Sequence, residues 1–319
     1  MLDFLDRKIA PMLAVPGRSF DSTDYLFEIK WDGIRALAFF DRERARLQGR
    51  GLGDSTHRYP EIASALRRLP GEAILDGEIV VLEGEKPSFE SVLERELIDH
   101  PAKVAMRSRR QPALYVAFDL LYLNGKELLS IALSERKRLL SQLLTPHPPT
   151  PIIESAYVVG RGKDYFREAA RRGLEGIMAK RLDSPYVPGA RANSWVKIKT
   201  RRTLDAVVLG LVLERGTHRV KSLVLGSYLE GRVVWLGNVG SGLGAETLHR
   251  LAERLEPLDA DPPPNLKVIA PGEIRWLKPV LVARVHYQEI TREGRLRAPV
   301  FAGFVDSRPE SCRLRLDLG

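Results

Sequence analysis

The chain has 319 residues, enough for two domains with separate cores. Its 44% hydrophobic and 29% charged residues are ordinary for a globular protein, and apolar runs such as 206–213 are far too short to span a bilayer. A formal net charge of +9 and a pI near 9.7 favour polyanionic partners, although many solvated arginines alone would give the same balance. The single cysteine, Cys312, excludes an internal disulfide and a cysteine metal framework. The first residues carry acids within their apolar part and lack a signal-peptide pattern, so a cytoplasmic location is expected.

Residues 1–20 read as an extended, turn-rich lead-in with Pro11, Pro16 and Gly17. Residues 21–40 read as a strand, a turn at Asp32-Gly33 and a second strand. The alternation Tyr25, Phe27, Ile29 places Lys30 at the end of a half-buried strand, aimed into a pocket. Such a lysine is a candidate nucleophile, since burial and neighbouring cations free an amine near neutral pH. A surface lysine beside the turn is the plainer alternative.

A short strand is expected at 44–48, a glycine-rich loop at 50–54 and a helix over 59–69, stopped by Pro70-Gly71. Residues 73–82 form an apolar strand that carries Asp76 and Glu78. Buried acids are expensive unless paired, hydrogen-bonded or metal-bound, so these are informative. A helix follows at 89–98 and a basic connector at 101–111. The strand at 114–122 carries Phe118 and Asp119 near its end and turns at Asn124-Gly125.

Helices are expected at 134–144, ended by the proline-rich segment 146–151, and at 164–172. A short strand then runs from Glu175 to Lys180, and after a Pro/Gly loop Lys197 and Lys199 share one face of another strand. From Leu204 the pattern changes to short strands at 206–213, 222–229, 233–239, 281–287 and 301–305, with a helix at 245–255. That series suggests a small closed barrel, for which an OB-fold is one candidate. The domains are expected at 1–202 and 203–319.

The first domain thus collects a lysine (Lys30), acids (Glu78, Asp119, Glu175), cations (Arg35, Arg50, Lys197, Lys199) and an aromatic ring (Phe118). Phosphoryl or nucleotidyl transfer uses such a set, with cations on phosphates, carboxylates on a metal and a nucleophile in line. Each has a plainer reading: Glu78 on an edge strand, Asp119 in a turn, Arg35 in a salt bridge, Phe118 in the core. There is no Walker-type loop, and the six histidines lack ligand spacing.

The ordered stretches Lys30-Trp-Asp-Gly33, Arg50-Gly51, Asp76-Gly-Glu78, Phe118–Tyr122, Glu175–Lys180 and Trp195–Lys199 resemble the motifs of the ATP-dependent DNA ligases. Pro11–Ala14, Lys180–Tyr186, Gly237–Gly242 and Gly294–Phe301 are similar to the bacterial end-joining type, ligase D or ligase C, within the covalent nucleotidyltransferases. The resemblance covers residues 11 to 310.

It implies an α+β nucleotidyltransferase (adenylation) domain, with ATP-grasp-like antiparallel sheets and helices, followed by an OB-fold β-barrel. Lys30 would attack the α-phosphate of ATP and carry AMP to the 5′-phosphate of a nick, which the 3′-hydroxyl then closes. Glu28 and Ile29 would offer backbone contacts to adenine, and Phe118 would stack on it. Arg35 and Arg50 would meet ribose and phosphates, and Lys197 and Lys199 the α-phosphate. Glu78 would contact the ribose and, with Glu175, a Mg²⁺ or Mn²⁺ ion. Arg297 of the second domain would reach the pyrophosphate, with a hinge at 200–203.

The implied partners are nicked or broken duplex DNA and end-binding repair proteins, with no membrane and a monomeric, nucleoid-associated enzyme. Two departures stand out: the loop around Arg50 lacks the family's Ser and Asn, and Val305-Asp306-Ser307-Arg308 replaces an Arg-x-Asp-Lys ending. Self-adenylation is expected to survive them. An RNA ligase, a GTP-using capping-type transferase and a non-catalytic basic nucleic-acid-binding module are the competing readings.

Overall fold

A computed structural model describes residues 4–145, 151–216, 219–244 and 258–313. The chain separates into two compact units, Met1–Thr200 and Arg201–Gly319.

The first unit holds two sheets. One is built from β1 (Leu13–Pro16), β2 (Ser22–Ile29), β10 (Tyr157–Gly160), β11 (Gly176–Arg181) and β12 (Arg191–Lys199), in the order β1-β12-β11-β2-β10. The other comprises β3 (Ile34–Phe40), β4 (Ala45–Gly49), β5 (Ala73–Glu83), β7 (Ala113–Leu123) and β8 (Lys126–Glu127), in the order β4-β3-β5-β7-β8. Two short strands flank it, β6 (Lys86–Pro87) on β5 and β9 (Ile152–Glu154) on β7. The expected strand–turn–strand at 21–40 is therefore not a hairpin. The chain leaves one sheet at Ile29 and enters the other at Ile34, and Lys30 sits on the crossing. Gly33 makes that crossing possible, because a Cβ there would lie 2.2 Å from the Ile79 carbonyl oxygen.

Alternation along β3 shows how the layers form. Leu37 and Phe39 enter a cluster with Ile74, Phe118, Tyr186 and Trp195 between the two sheets. Ala36, Ala38 and Phe40 point the other way, into a core shared with α1 (Pro60–Leu66), α2 (Phe89–Glu96) and α4 (Leu133–Leu144). Each such buried aromatic contributes roughly 1.5–3 kcal/mol relative to exposure. On the far face of the first sheet, Phe27, Ile177, Ala179 and Ile198 pack with Ala169 of α5 (Gly162–Arg171).

Three sequence expectations change. Residues 101–110 form a helix, α3, not a connector, and Val104 alone is buried on it. The lead-in contains β1, which pairs in parallel with β12, and β9 pairs in parallel with β7, so the sheets are mixed and not purely antiparallel. The expected helix at 245–255 and most of the segment 146–151 lie outside the described residues.

The second unit is one twisted sheet of β13 (Arg202–Leu213), β14 (Val220–Leu229), β15 (Arg232–Val239), β17 (Val282–Tyr287) and β18 (Val300–Val305), ordered β15-β14-β13-β17-β18, with β16 (Glu273–Trp276) also on β13. Its ends meet where Leu296 N donates to Leu236 O (2.7 Å) and Phe301 N donates to Ser241 O (2.8 Å). Ala206, Val208 and Leu211 face one core and Val207, Leu209 and Val212 the other, the alternation stepping over a register shift before Gly210. This is an OB-fold barrel.

Candidate active site

A cavity of about 230 Å³ opens between the two sheets of the first unit. Eight of the residues singled out in the sequence line it: Glu28, Ile29, Lys30, Arg35, Arg50, Glu78, Phe118 and Lys197. Backbone pairing brings them together. Glu28 and Ile29 end β2, opposite Met178 and Ile177 of β11, while Arg35 lies opposite Glu78 across β3 and β5. Phe118 is an unpaired extra residue in β7, between Ala117 and Asp119, which register with Gly77 and Asp76. Such a bulge re-aims a side chain, here into the cavity.

Lys30 follows β2, and its backbone N–H donates to Gly176 O at 3.0 Å. Its ammonium is ion-paired with the Glu175 carboxylate, whose other oxygen lies 2.8 Å from Lys199 Nζ. Glu175 is almost fully buried, with 6% of its side chain exposed, whereas Lys30 keeps 22% and can reach a ligand. Gly176 sets this geometry. Its φ of +146° and the Ile198 carbonyl, which a Cβ would approach to 2.1 Å, admit no side chain.

The cavity is strongly cationic. The Lys197 ammonium is held below its ordinary pKa by burial and then by Lys199, Arg191, Lys30 and Arg50. Cations crowded in this way bind a polyphosphate well, because the ligand relieves their mutual repulsion. The Glu78 carboxyl is pushed up to about 8, chiefly by burial, against the pull of Lys30 and Arg35.

Three residues that line the cavity carry a buried polar atom without a hydrogen-bond partner: the acceptor Glu28 Oε2, the donor Trp195 Nε1, and Lys180 Nζ, which is ion-paired with Glu28. A ligand that offers both a donor and an acceptor would satisfy them.

Asp119, collected in the sequence as a candidate site acid, serves the scaffold together with Asp76. Asp76 and Asp119 face one another across β5 and β7, both fully buried. Directly opposed carboxylates repel, and each is neutralised by its own arginine. Arg136 grips Asp119 at 2.7 and 2.9 Å, and Arg35 grips Asp76 at 2.9 and 2.6 Å. Tyr186 donates to Asp76 Oδ2 at 2.7 Å. Most of the Arg35 donors are thus spent on Asp76 and on Met12 O (2.6 Å), although its guanidinium still lines the cavity.

Lys180 and Arg191 also line the cavity and had no site role in the sequence. The Lys180 ammonium is fully buried, lies 4.1 Å from the Phe118 ring centroid and 4.2 Å from that of Trp195, and pairs with Glu28 Oε1. The signals for it were an apolar strand ending in a lysine and its place in two of the stretches that resemble the ligases. Arg297 belongs to the second unit, where it bonds Glu289 at 2.8 Å.

An OB-fold unit following a two-sheet unit with this cleft makes the chain a two-domain nucleotidyltransferase. Residues 11–199 match the ATP dependent DNA ligase domain, and residues 216–307 match the ATP dependent DNA ligase C terminal region. The chain belongs to the ATP-dependent DNA ligases.

It is 34% identical over 318 residues to the multifunctional non-homologous end joining protein LigD of Pseudomonas aeruginosa, covering 97% of this chain and 36% of that protein. It is 36% identical over 312 residues to the LigD repair protein of Mycobacterium tuberculosis, covering 94% and 39%. The chain therefore spans well under half the length of these curated relatives. The crystal structure of the M. tuberculosis LigD ligase domain aligns with 96% of this chain and 98% of its own, at 34% identity and a TM-score of 0.55. A mycobacterial DNA ligase D complexed with ATP and MES aligns with a TM-score of 0.53, 34% identity and coverage of 98% and 99%.

Proposed function

We propose that the chain seals 3′-hydroxyl/5′-phosphate nicks in duplex DNA through AMP carried on Lys30, with ATP as the donor, and that it serves end joining alongside end-binding repair proteins. The observation that carries this reading is the Lys30–Glu175 pair at the mouth of a cationic cavity. The similarity to LigD proteins supports the end-joining role.

In the first step the Lys30 amine forms an N–P bond to the α-phosphorus, and the P–O bond to pyrophosphate breaks. The ammonium must first lose a proton, and the Glu175 carboxylate bonded to it is the nearest base. Lys197 and Arg50 offset charge on the phosphates. A 5′-phosphate oxygen then takes AMP from Lys30 and restores the amine. Finally the 3′-hydroxyl attacks that phosphate and AMP leaves. Phe118 supplies the ring against which the base stacks, and Glu28 Oε2 accepts from its amino group.

Glu78 and Glu175 are the residues that would hold a divalent cation. Among the described residues no cluster of three or more His, Cys, Asp or Glu is arranged for a metal, so phosphate and water oxygens would complete the shell, as suits Mg²⁺ or Mn²⁺. The ion would supply charge neutralisation at the phosphates. The proposal also assigns Arg297 to the pyrophosphate in step one and a hinge to residues 200–203.

The test is sealing of a nicked duplex with ATP and Mg²⁺. Wild-type protein should seal it and Lys30→Ala should not. A nick that already carries AMP on its 5′-phosphate bypasses the first step and should be sealed without ATP. Failure of wild-type protein on both substrates would remove the ligase reading.

A further inference from the structure

Lys137 lies on α4, does not line the cavity, and is fully buried. A buried ammonium is costly unless its charge is matched. Its Nζ donates to the Ser155 carbonyl at 3.1 Å and lies 3.4 Å from Glu154 Oε1 and 3.7 Å from Glu28 Oε2. Glu28 is thus gripped from two sides. Lys180 pairs with Oε1, and Lys137 stands nearest Oε2, the oxygen that lacks a hydrogen-bond partner.

We propose that Lys137 is a positioning residue for nucleobase selection: it holds the Glu28 carboxylate in place, so that a base edge bearing an amino group is accepted and one bearing a carbonyl oxygen is refused. The inference rests on the nucleotide-binding reading above. An ionised carboxylate only accepts hydrogen bonds, so it welcomes an amino group and repels a carbonyl oxygen. A carboxylate left free to turn away from the base edge loses that discrimination. With its charge 3.7 Å away, Lys137 holds Oε2 by attraction. It does not itself line the cavity, so it acts on the nucleotide through the Glu28 carboxylate.

The test compares ATP and GTP as donors for the covalent lysine adduct, with KM and maximal rate measured for the full chain. Wild type should favour ATP by about 10³-fold or more in rate over KM, as expected where a site hydrogen-bonds the distinguishing group. Lys137→Gln keeps a donor for the Ser155 carbonyl and removes the charge. It should narrow the preference at least about tenfold, through KM, with the maximal ATP rate largely kept, and Lys137→Arg should restore it. Lys137→Met reads the same ratio if the glutamine variant does not fold. A folded, uncharged variant with the wild-type ATP-to-GTP ratio overturns the role of Lys137 and leaves the nucleotidyl-transfer reading standing. No adduct on wild type with either nucleotide overturns both.

Discussion

Glu175 holds the ammonium of Lys30 although 145 residues separate them, because β11 enters the first sheet directly beside β2. The same carboxylate holds Lys199, so one buried acid orients the proposed nucleophile and one proposed phosphate ligand together. Replacing Glu175 with Gln keeps a hydrogen-bond acceptor and removes the base. Adduct formation should fall by about 10²-fold or more, while sealing of a pre-adenylated nick falls less. Single-turnover assays on the two substrates check this, and equal losses on both would point to a general structural defect.

Glu78 gives the site a pH dependence. Its carboxyl is raised from 4.5 to about 8, so between those values the folded chain binds more protons than the unfolded one. The resulting slope of unfolding free energy with pH is negative. The penalty for ionising Glu78 is absent below its unfolded value, accumulates up to about 8 and is complete above it. Glu78→Gln removes this penalty, so its melting temperature should gain on that of wild type as pH rises from about 5 to about 9. A constant difference across that range would contradict the assignment.

Asp119 should matter for stability and not for chemistry. Its pair with Arg136 is fully buried, and removing one partner of such a pair costs about 3–5 kcal/mol. Asp119→Ala should lower the denaturation midpoint accordingly, while the folded fraction still forms the adduct. A stable variant with no adduct would move Asp119 back into the site.

Lys197 sits among four other cations and should act on substrate affinity. Lys197→Ala should raise KM for ATP by about tenfold or more, with the effect growing weaker at high salt as the remaining cations are screened. Titration of adduct formation against ATP at two ionic strengths checks it.

Part of this site was legible because Glu28, Ile29 and Lys30 come at the end of a strand. Alternation placed Lys30 beyond Ile29, and acids inside apolar runs marked Glu78. Contacts between distant segments were not legible. Nothing in the local pattern pairs Asp119 with Arg136, parallels β1 with β12, or brings Lys180 and Lys137 onto one carboxylate. Glu28 was expected to offer only its backbone, and its side chain turns out to be the buried acid between two lysines. The helix α3 was missed because four of its ten residues are lysine or arginine and only Val104 is buried.

The most direct test of the central claim is incubation of the protein with α-labelled ATP and Mg²⁺, followed by peptide mapping of the covalent label. Wild type should carry one AMP on Lys30, and Lys30→Ala should carry none. Absence of label on wild type, or label retained in Lys30→Ala, would contradict covalent catalysis by this lysine.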